Sequence, residues 1–230
     1  SLNKNKVKIL DWGCGRGQQV LYLRGQGYKA FGVDVDILPI NNGIPLIKKM
    51  GYDPKIISLI KPDGRTYFEN NYFDIVISNQ VFEHIKSIEF VVDEIARITK
   101  SDGIGLHIFP SHKHFIEAHL KMPLIHWFPK NKIRRFLIYI YLLFKIDPNW
   151  DELNGQPLKR KADHYYNYSL NKTFYRSYRK LEKLFKEKRF ICSNYFGLNN
   201  KNNRFLIFIS IFLRNLFSTT KLKVKKVKDN

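Results

Sequence analysis

Short apolar runs and helical periodicities alternate along the first half of the chain. Val7–Asp11 is an apolar run closed by an acid. Gly13, Gly15 and Gly17 punctuate the next few positions, Gln18–Arg24 has helical character, and Lys29–Asp34 is a second run closed by an acid. Strand, glycine turn, helix and strand at this spacing predict a βαβ unit and therefore a parallel pair. The alternation continues with a loop and helix over Asp36–Met50, broken by Pro39 and Pro45, and a weak strand in Tyr52–Ile60. Phe73–Ser78 reads as a strand buried on both faces. Ile88, Val91, Val92, Ile95 and Ile98 recur at helical spacing, and Ser101-Asp102-Gly103 predicts a turn into a fifth strand at Ile104–Phe109.

From Pro110 to about Arg160 the rhythm breaks into a stretch rich in histidine, aromatic and basic residues, helical over Ile133–Ile146. It resumes with a helix at Tyr175–Lys188, a strand at Arg189–Phe196, a helix at Arg204–Phe217 and a strand at Lys221–Lys228. The expected fold class is α/β: a mostly parallel seven-stranded sheet with helices on both faces. The 230 residues fit a single domain, 1–230. Ligands of such sheets sit at the carboxyl ends of the strands, so residues 111–162, inserted after strand five, form a cap on the substrate side.

Charge sharpens the picture of the second half. The chain carries 40 Lys and Arg against 20 Asp and Glu, and most of the excess lies after Pro129. Such a field attracts nucleic acid, anionic lipid or phosphorylated small molecules. Arg134, Arg135, Lys145, Lys159, Arg160 and Lys161 interleave with Phe136, Tyr139, Tyr141, Phe144, Tyr165, Tyr166 and Tyr168. A solvated basic face, a patch lying on an anionic membrane and a groove for single-stranded nucleic acid all share that pattern. No RNA-binding module is recognisable, which ranks an anionic or lipid-linked small acceptor above RNA. Phe136–Phe144 and Phe205–Leu213 are the longest apolar stretches, well short of the roughly 20 residues that span a bilayer. Cys14 and Cys192 match no disulfide or zinc spacing. A cytoplasmic protein is expected, with peripheral contact at the inner face of the membrane as a further expectation.

The glycine turn carries the first chemistry. Its Gly-x-Gly-x-Gly spacing differs from the Gly-x-Gly-x-x-Gly that accommodates a dinucleotide pyrophosphate. S-adenosylmethionine has no phosphate but a positive sulfonium and ammonium, which suit a strand-end acid such as Asp11. Asp34, ending the second strand, is placed to accept both ribose hydroxyls.

These segments together resemble the class I S-adenosylmethionine-dependent methyltransferases, in particular their small-molecule branch. Ile9–Gly17 is similar to the family's first motif, Gly32-Val33-Asp34 to its second-strand acidic motif, and Phe68–Val76 to the approach to strand four. Val81-Phe82-Glu83-His84-Ile85 resembles the Glu-His signature after that strand. Ala96–Gly103 resembles the turn into strand five, with Ser-Asp where Pro-Gly is usual. The resemblance covers Val7–Phe109 and returns weakly from His164. It implies S-adenosylmethionine as cofactor, with S-adenosylhomocysteine as product. It implies cofactor contacts from Asp11, Gly13, Cys14, Gly15, Gly17, Gln18, Asp34, Val35, Asn79 and Gln80, and an adenine contact near Asp63.

For the acceptor side, five of the seven histidines lie between His107 and His126. Methylation of a hydroxyl needs a proton acceptor, and histidine is the usual one. His119 is the candidate base, with Glu117 supporting it only if the segment bends, because i and i+2 diverge on a helix. His84 is expected near the transferring methyl, and His126-Trp127-Phe128-Pro129 as an aromatic wall whose histidine is a further catalytic candidate. Glu83-His84 with Asp163-His164 also resembles metal-assisted methyltransferases. Gln80, however, stands where that pattern has a glutamate, and His112, His114, Glu117 and His119 match no standard zinc spacing. No metal is therefore expected. The function these features favour is O-methylation of a small acceptor, such as a sugar or phosphorylated group of a surface-glycan precursor. An RNA 2′-O-methyltransferase and a non-catalytic S-adenosylmethionine-binding subunit are the alternatives.

Overall fold

The computed structural model describes residues 3–194 and 219–228. In chain order these form β1 (Lys8–Trp12), α1 (Gln18–Gly25), β2 (Lys29–Asp34), α2 (Ile37–Lys49), β3 (Ile57–Leu59), β4 (Phe73–Asn79), α3 (Ile88–Ile98) and β5 (Thr99–Pro110). Then come α4 (Lys132–Leu143), α5 (Leu158–Asn171), α6 (Tyr178–Glu187), β6 (Phe190–Asn194) and β7 (Thr219–Lys226). The strands build one seven-stranded sheet in the order β3-β2-β1-β4-β5-β7-β6. The first five are parallel, and β7 runs antiparallel between β5 and β6.

Alternate side chains of one strand serve two cores, which is why the strands read as unbroken apolar runs. Leu10 joins Val76, Ile88, Val92, Ile95, Leu181 and Phe185 on the face covered by α3 and α6. Its neighbour Ile9 joins Val20, Leu21, Ala30, Ile40 and Ile47 on the face covered by α1 and α2. Strand order reverses between β1 and β4, so their carboxyl ends, Trp12 and Asn79, flank a crevice.

Several elements differ from the sequence expectation for identifiable reasons. Helix α2 runs through both prolines. Pro39 lies in its first turn, where no intrahelical N–H bond is lost, and Asp36 caps it by accepting from Leu38 N at 2.9 Å. Ser101-Asp102-Gly103 does not turn the chain between separate elements. It is an irregularity inside β5, whose pairing with β4 jumps from Phe73–Thr99 to Ile75–Ile104, with Asp102 at φ +67°. Helix α5 leaves little trace in the sequence because it carries no aliphatic stripe; Ala162, Tyr165 and Ser169 are what it buries. Between β5 and α6 lies a separate core of Leu120, Met122, Ile125, Ile138, Leu142, Leu153, Ala162 and Tyr165, which continues past residue 162. The expected helix at Arg204–Phe217 and the end of the preceding strand lie outside the described residues.

Candidate active site

Three glycines shape the turn after β1. Gly13, Gly15 and Gly17 have φ of +79°, +52° and +75°, a region that side chains disfavour. Asp34 ties this turn to β2: one carboxylate oxygen accepts from Gly15 N at 2.8 Å, the other from Asp36 N at 3.0 Å. A carboxylate has about four acceptor sites, so both oxygens keep capacity for ligand hydroxyls. Asp11 is 6% exposed, and burial, with help from the Asp34 charge, pushes its carboxyl up to about 7. Burial and the same two carboxylates raise the Cys14 thiol far above its ordinary range, which removes it as a nucleophile.

Two cavities of about 380 Å³ each meet at Gly13 and form one cleft along the strand ends. Asp11, Cys14, Gln18 and Asn79 line one half; Asp34, Val35, Gln80 and His84 line the other. Eight of the ten expected cofactor residues, with Gly13 among them, belong to the parts that build it: Gly15 and Gly17 do not line it. Gly15 serves through its N–H to Asp34, and Gly17 is a packing position, where a Cβ would stand 2.9 Å from Ile57 Cγ2. Asp63 accepts from Arg65 N within its own loop, and it is Gly64 that reaches the cleft. Trp12, Ile60, Val81 and Ile85 add an apolar wall, and Tyr22 an exposed aromatic beside Gln18. Trp12, Val81 and Ile85 lie within motif segments without having been expected as contacts, whereas Ile60 and Tyr22 belong to none; the fold brings them together.

At the far lip of the cleft, His84 meets the segment after β5. Its Nδ1 lies 2.7 Å from Lys172 O. A carbonyl only accepts, so Nδ1 carries the proton and Nε2 is left with a lone pair. That Nε2 is 3.2 Å from His119 Nε2. Residues 117–119 are not helical, so Glu117 folds back under His119 as the bend requires, accepting from His119 N at 2.8 Å and standing 3.1 Å from its Nδ1. Tyr175 hydroxyl donates to Glu117 and lies 2.9 Å from His119 Nδ1. Glu117 is 3% exposed; burial works against its charge, but bonds from His119, Leu120 N and Tyr175 hold its pKa below the ordinary range. Burial alone would lower His119, and the Glu117 carboxylate outweighs it and raises it; His84 is lowered by burial.

Glu83, in the same short helical turn as His84, is 2% exposed, and among the described residues neither carboxylate oxygen has a hydrogen-bond partner. Burial pushes it up to about 7. Glu83, His84 and His119 each present one ligand atom, all within 4.8 Å of one another, the one group among the described residues able to hold a metal ion.

The other histidines part company with the site. His126, expected among the catalytic residues, sits beyond Tyr175, with ring centroids 5.0 Å apart, and faces another cavity; burial lowers it to about 4. His107 is a core residue, bonded to Ser78 Oγ at 2.9 Å and stacked on Phe82 and Phe185. His114 bonds Ile116 O. Asp163 pairs with Arg135, and His164 packs on Trp150, so the pair expected to join Glu83-His84 is engaged elsewhere.

Residues 10–106 match the family described as methyltransferase domain. The matched stretch runs from β1 into β5 and so takes in the glycine turn and both strand-end acids, Asp11 and Asp34. Ubiquinone biosynthesis O-methyltransferase from Rickettsia canadensis is 26% identical over 102 residues, 44% of this chain, and the chain spans 42% of that relative. An S-adenosylmethionine-dependent methyltransferase from Mesorhizobium loti superposes with a TM-score of 0.59 at 10% identity, over 98% of this chain and 94% of the other. Geranyl diphosphate methyltransferase in complex with S-adenosylmethionine superposes with a TM-score of 0.55 at 13% identity, over 96% and 78%. S-adenosylmethionine fits the cleft by the chemistry of its lining: Asp11 and Asp34 would meet its cationic and hydroxyl groups, and the turn at Gly13, where a Cβ would stand 2.4 Å from Val81 Cγ2, stays free of a side chain.

Proposed function

We propose that the protein transfers a methyl group to a hydroxyl of a small anionic acceptor. The observation that carries this reading is the His84–His119 pair, 3.2 Å apart at the lip of the cofactor cleft. S-adenosylmethionine, when bound, supplies the electrophilic methyl. Asp11 would hold its positive groups and Asp34 its ribose hydroxyls, on either side of the glycine turn. His84 Nε2 is the proton-accepting atom, because Lys172 O fixes the proton on Nδ1. The acceptor hydroxyl would give its proton to His84 Nε2, which lies 3.2 Å from His119 Nε2, and the ionised Glu117 would balance the charge on the pair. The α4–α5 segment is the cap that closes over the acceptor. The basic surplus favours a phosphorylated sugar or similar group, with surface-glycan precursors as the class to screen. The exposed face of α4, with Ile133, Phe136 and Leu143, and Phe144 just after it, would let the enzyme work at a membrane surface. No helix among the described residues is long and apolar enough to cross a membrane. The test is transfer of labelled methyl from S-adenosylmethionine to phosphosugar, unphosphorylated sugar and RNA acceptors. Product from the phosphosugar alone supports the reading; product from RNA alone overturns it.

One observation favours a second reading of the same lip. Glu83 is a buried carboxylate with no partner, next to two imidazoles whose ligand atoms converge. The set of two imidazoles and a carboxylate suits zinc, iron or manganese better than magnesium. In this reading His84 and His119 are ligands held in their tautomers by Lys172 O and Glu117, and neither is a free base.

A further inference from the structure

A second basin lies on the other side of the strap that holds the two histidines. Residues 172–177 run between them. On one side Lys172 O holds His84 and Tyr175 holds Glu117 and His119. On the other, the same strap lines a cavity of about 740 Å³ together with His126, Lys130, Arg134 and Lys180. Arg176 and Tyr175 are its strap-side walls.

The charged side chains that line this cavity are all of one sign, with the carboxylates Glu117 and Glu89 outside its lining. Lys130 Nζ donates to Thr173 O at 2.6 Å and Leu170 O at 3.1 Å. Arg176 donates to the carbonyls of Phe82, Phe174 and Lys86 at 2.9, 2.8 and 2.7 Å. Arg134, 4% exposed, is bonded to Phe128 O and His126 O. Carbonyl dipoles orient these cations without neutralising them. Among the described residues no carboxylate lines the cavity. Glu117 is turned toward His119, and Glu89 meets Lys180 at 3.4 Å in an exposed pair. Burial, then the charges of Arg134 and Arg176, lower Lys130 to about 8. Like charges gathered in a concave, partly buried place cost free energy that a multivalent anion recovers, and guanidinium and ammonium donors are the groups that bind phosphate oxygens.

We propose that this cavity binds the phosphate or diphosphate group of the acceptor. The acceptor's charged end is then anchored beyond Tyr175 while its hydroxyl meets the histidine pair, and the strap that lines the anion cavity is the same one that orients His84 and His119. This rests on the methyl-transfer reading for the ligand's identity, and the cavity itself is testable without it.

The experiment is calorimetric titration of the full chain with inorganic pyrophosphate and, in parallel, with a soluble short-chain phosphatidic acid, with S-adenosylhomocysteine titrated as a control. Saturable pyrophosphate binding that weakens roughly tenfold in Lys130→Gln and in Lys180→Gln, but not in Lys132→Gln, is expected. Lys180 is half exposed, so its variant keeps the test valid if Lys130→Gln fails to fold. Saturable phosphatidic acid binding with the same variant pattern, in place of pyrophosphate, carries the proposal for a lipid-linked acceptor. No saturable binding of either anion, or equal weakening by Lys132→Gln, overturns it. Pyrophosphate binding without S-adenosylhomocysteine binding leaves the anion cavity standing and removes the methyltransferase reading. S-adenosylhomocysteine binding alone does the reverse.

Discussion

His84 and His119 face each other through their Nε2 atoms at 3.2 Å, although 35 residues separate them in the chain. Both Nδ1 atoms are committed elsewhere, to Lys172 O and to the Glu117–Tyr175 pair. Two lone pairs this close repel each other, and a proton or a cation taken up between them relieves that repulsion. The pair is therefore built to gain one positive charge. Replacing His119 with Ala should lower turnover by roughly 10²–10⁴-fold, the usual worth of a positioned proton acceptor. S-adenosylhomocysteine affinity should stay unchanged, because His119 does not line the cofactor cleft. Steady-state kinetics and calorimetry on one preparation check both; full activity would remove the pair from the mechanism.

Asp34 has two tasks that one substitution separates. In Asp34→Ala the Gly15 N–H loses its acceptor, which should cost about 1–3 kcal/mol of stability. Cofactor affinity should fall more than that stability loss explains, since the ribose contact goes as well. Thermal unfolding with and without S-adenosylhomocysteine measures the two effects; a ligand-induced stabilisation equal to that of the unaltered protein would sink the ribose assignment.

The parallel half of the sheet is legible in the sequence because every signal there is local: apolar runs end in Asp11 and Asp34, and the glycines fall between them. The cleft comes with it. The acceptor side is legible in composition but not in geometry. Five histidines crowd one stretch of sequence, yet His107 belongs to the core and His126 to another cavity, because a histidine's environment is set by residues far away in the chain. His84 joins His119 through Lys172 and Tyr175, which no spacing rule connects. Helix α5 is illegible because its buried face is Ala162, Tyr165 and Ser169, too polar to register as a stripe. Gly17 reads as part of the ligand loop and packs behind it, since the motif records a backbone need without saying which side requires it.

Cofactor affinity should depend on pH through Asp11. Its carboxyl sits at about 7 in the ligand-free cleft, against an ordinary value of 3.8. The ammonium that S-adenosylmethionine and S-adenosylhomocysteine share favours the ionised form, so affinity should rise with pH up to about 7 and level off above it. Well below 7 each unit should cost roughly tenfold. The same shift makes the ligand-free protein lose stability as pH rises from about 4 to about 7, because the unfolded chain releases the proton first. Titrations with S-adenosylhomocysteine at about pH 5, 6, 7 and 8, one unit apart as the tenfold rule requires, test this; in Asp11→Asn the pH dependence should disappear.

Gly17→Ala tests a packing position inside a motif. At φ +75° an alanine is strained, and its Cβ would stand 2.9 Å from Ile57 Cγ2. The expected loss is about 1–3 kcal/mol of stability. Folded Gly17→Ala should still bind S-adenosylhomocysteine with nearly the original affinity, because the residue does not line the cleft. A stable variant with lost binding would restore Gly17 to the cofactor site.

Chelation separates the two readings of the histidine lip. If His84 and His119 act as the base, treatment with a chelator followed by its removal should leave turnover intact, and Glu83→Gln should be mild because a neutral amide replaces a carboxyl already half protonated near pH 7. If Glu83, His84 and His119 hold a cation, chelation should abolish turnover, zinc, iron or manganese should restore it, and Glu83→Gln should weaken metal retention measured by elemental analysis. The buried Glu83 carboxylate decides between them: as a bystander it costs the protein stability without benefit, and Glu83→Gln should then raise the melting temperature at pH 8, where the carboxylate is charged. As a ligand it is stabilised by its cation, and the same substitution should lower the melting temperature of the metal-loaded protein.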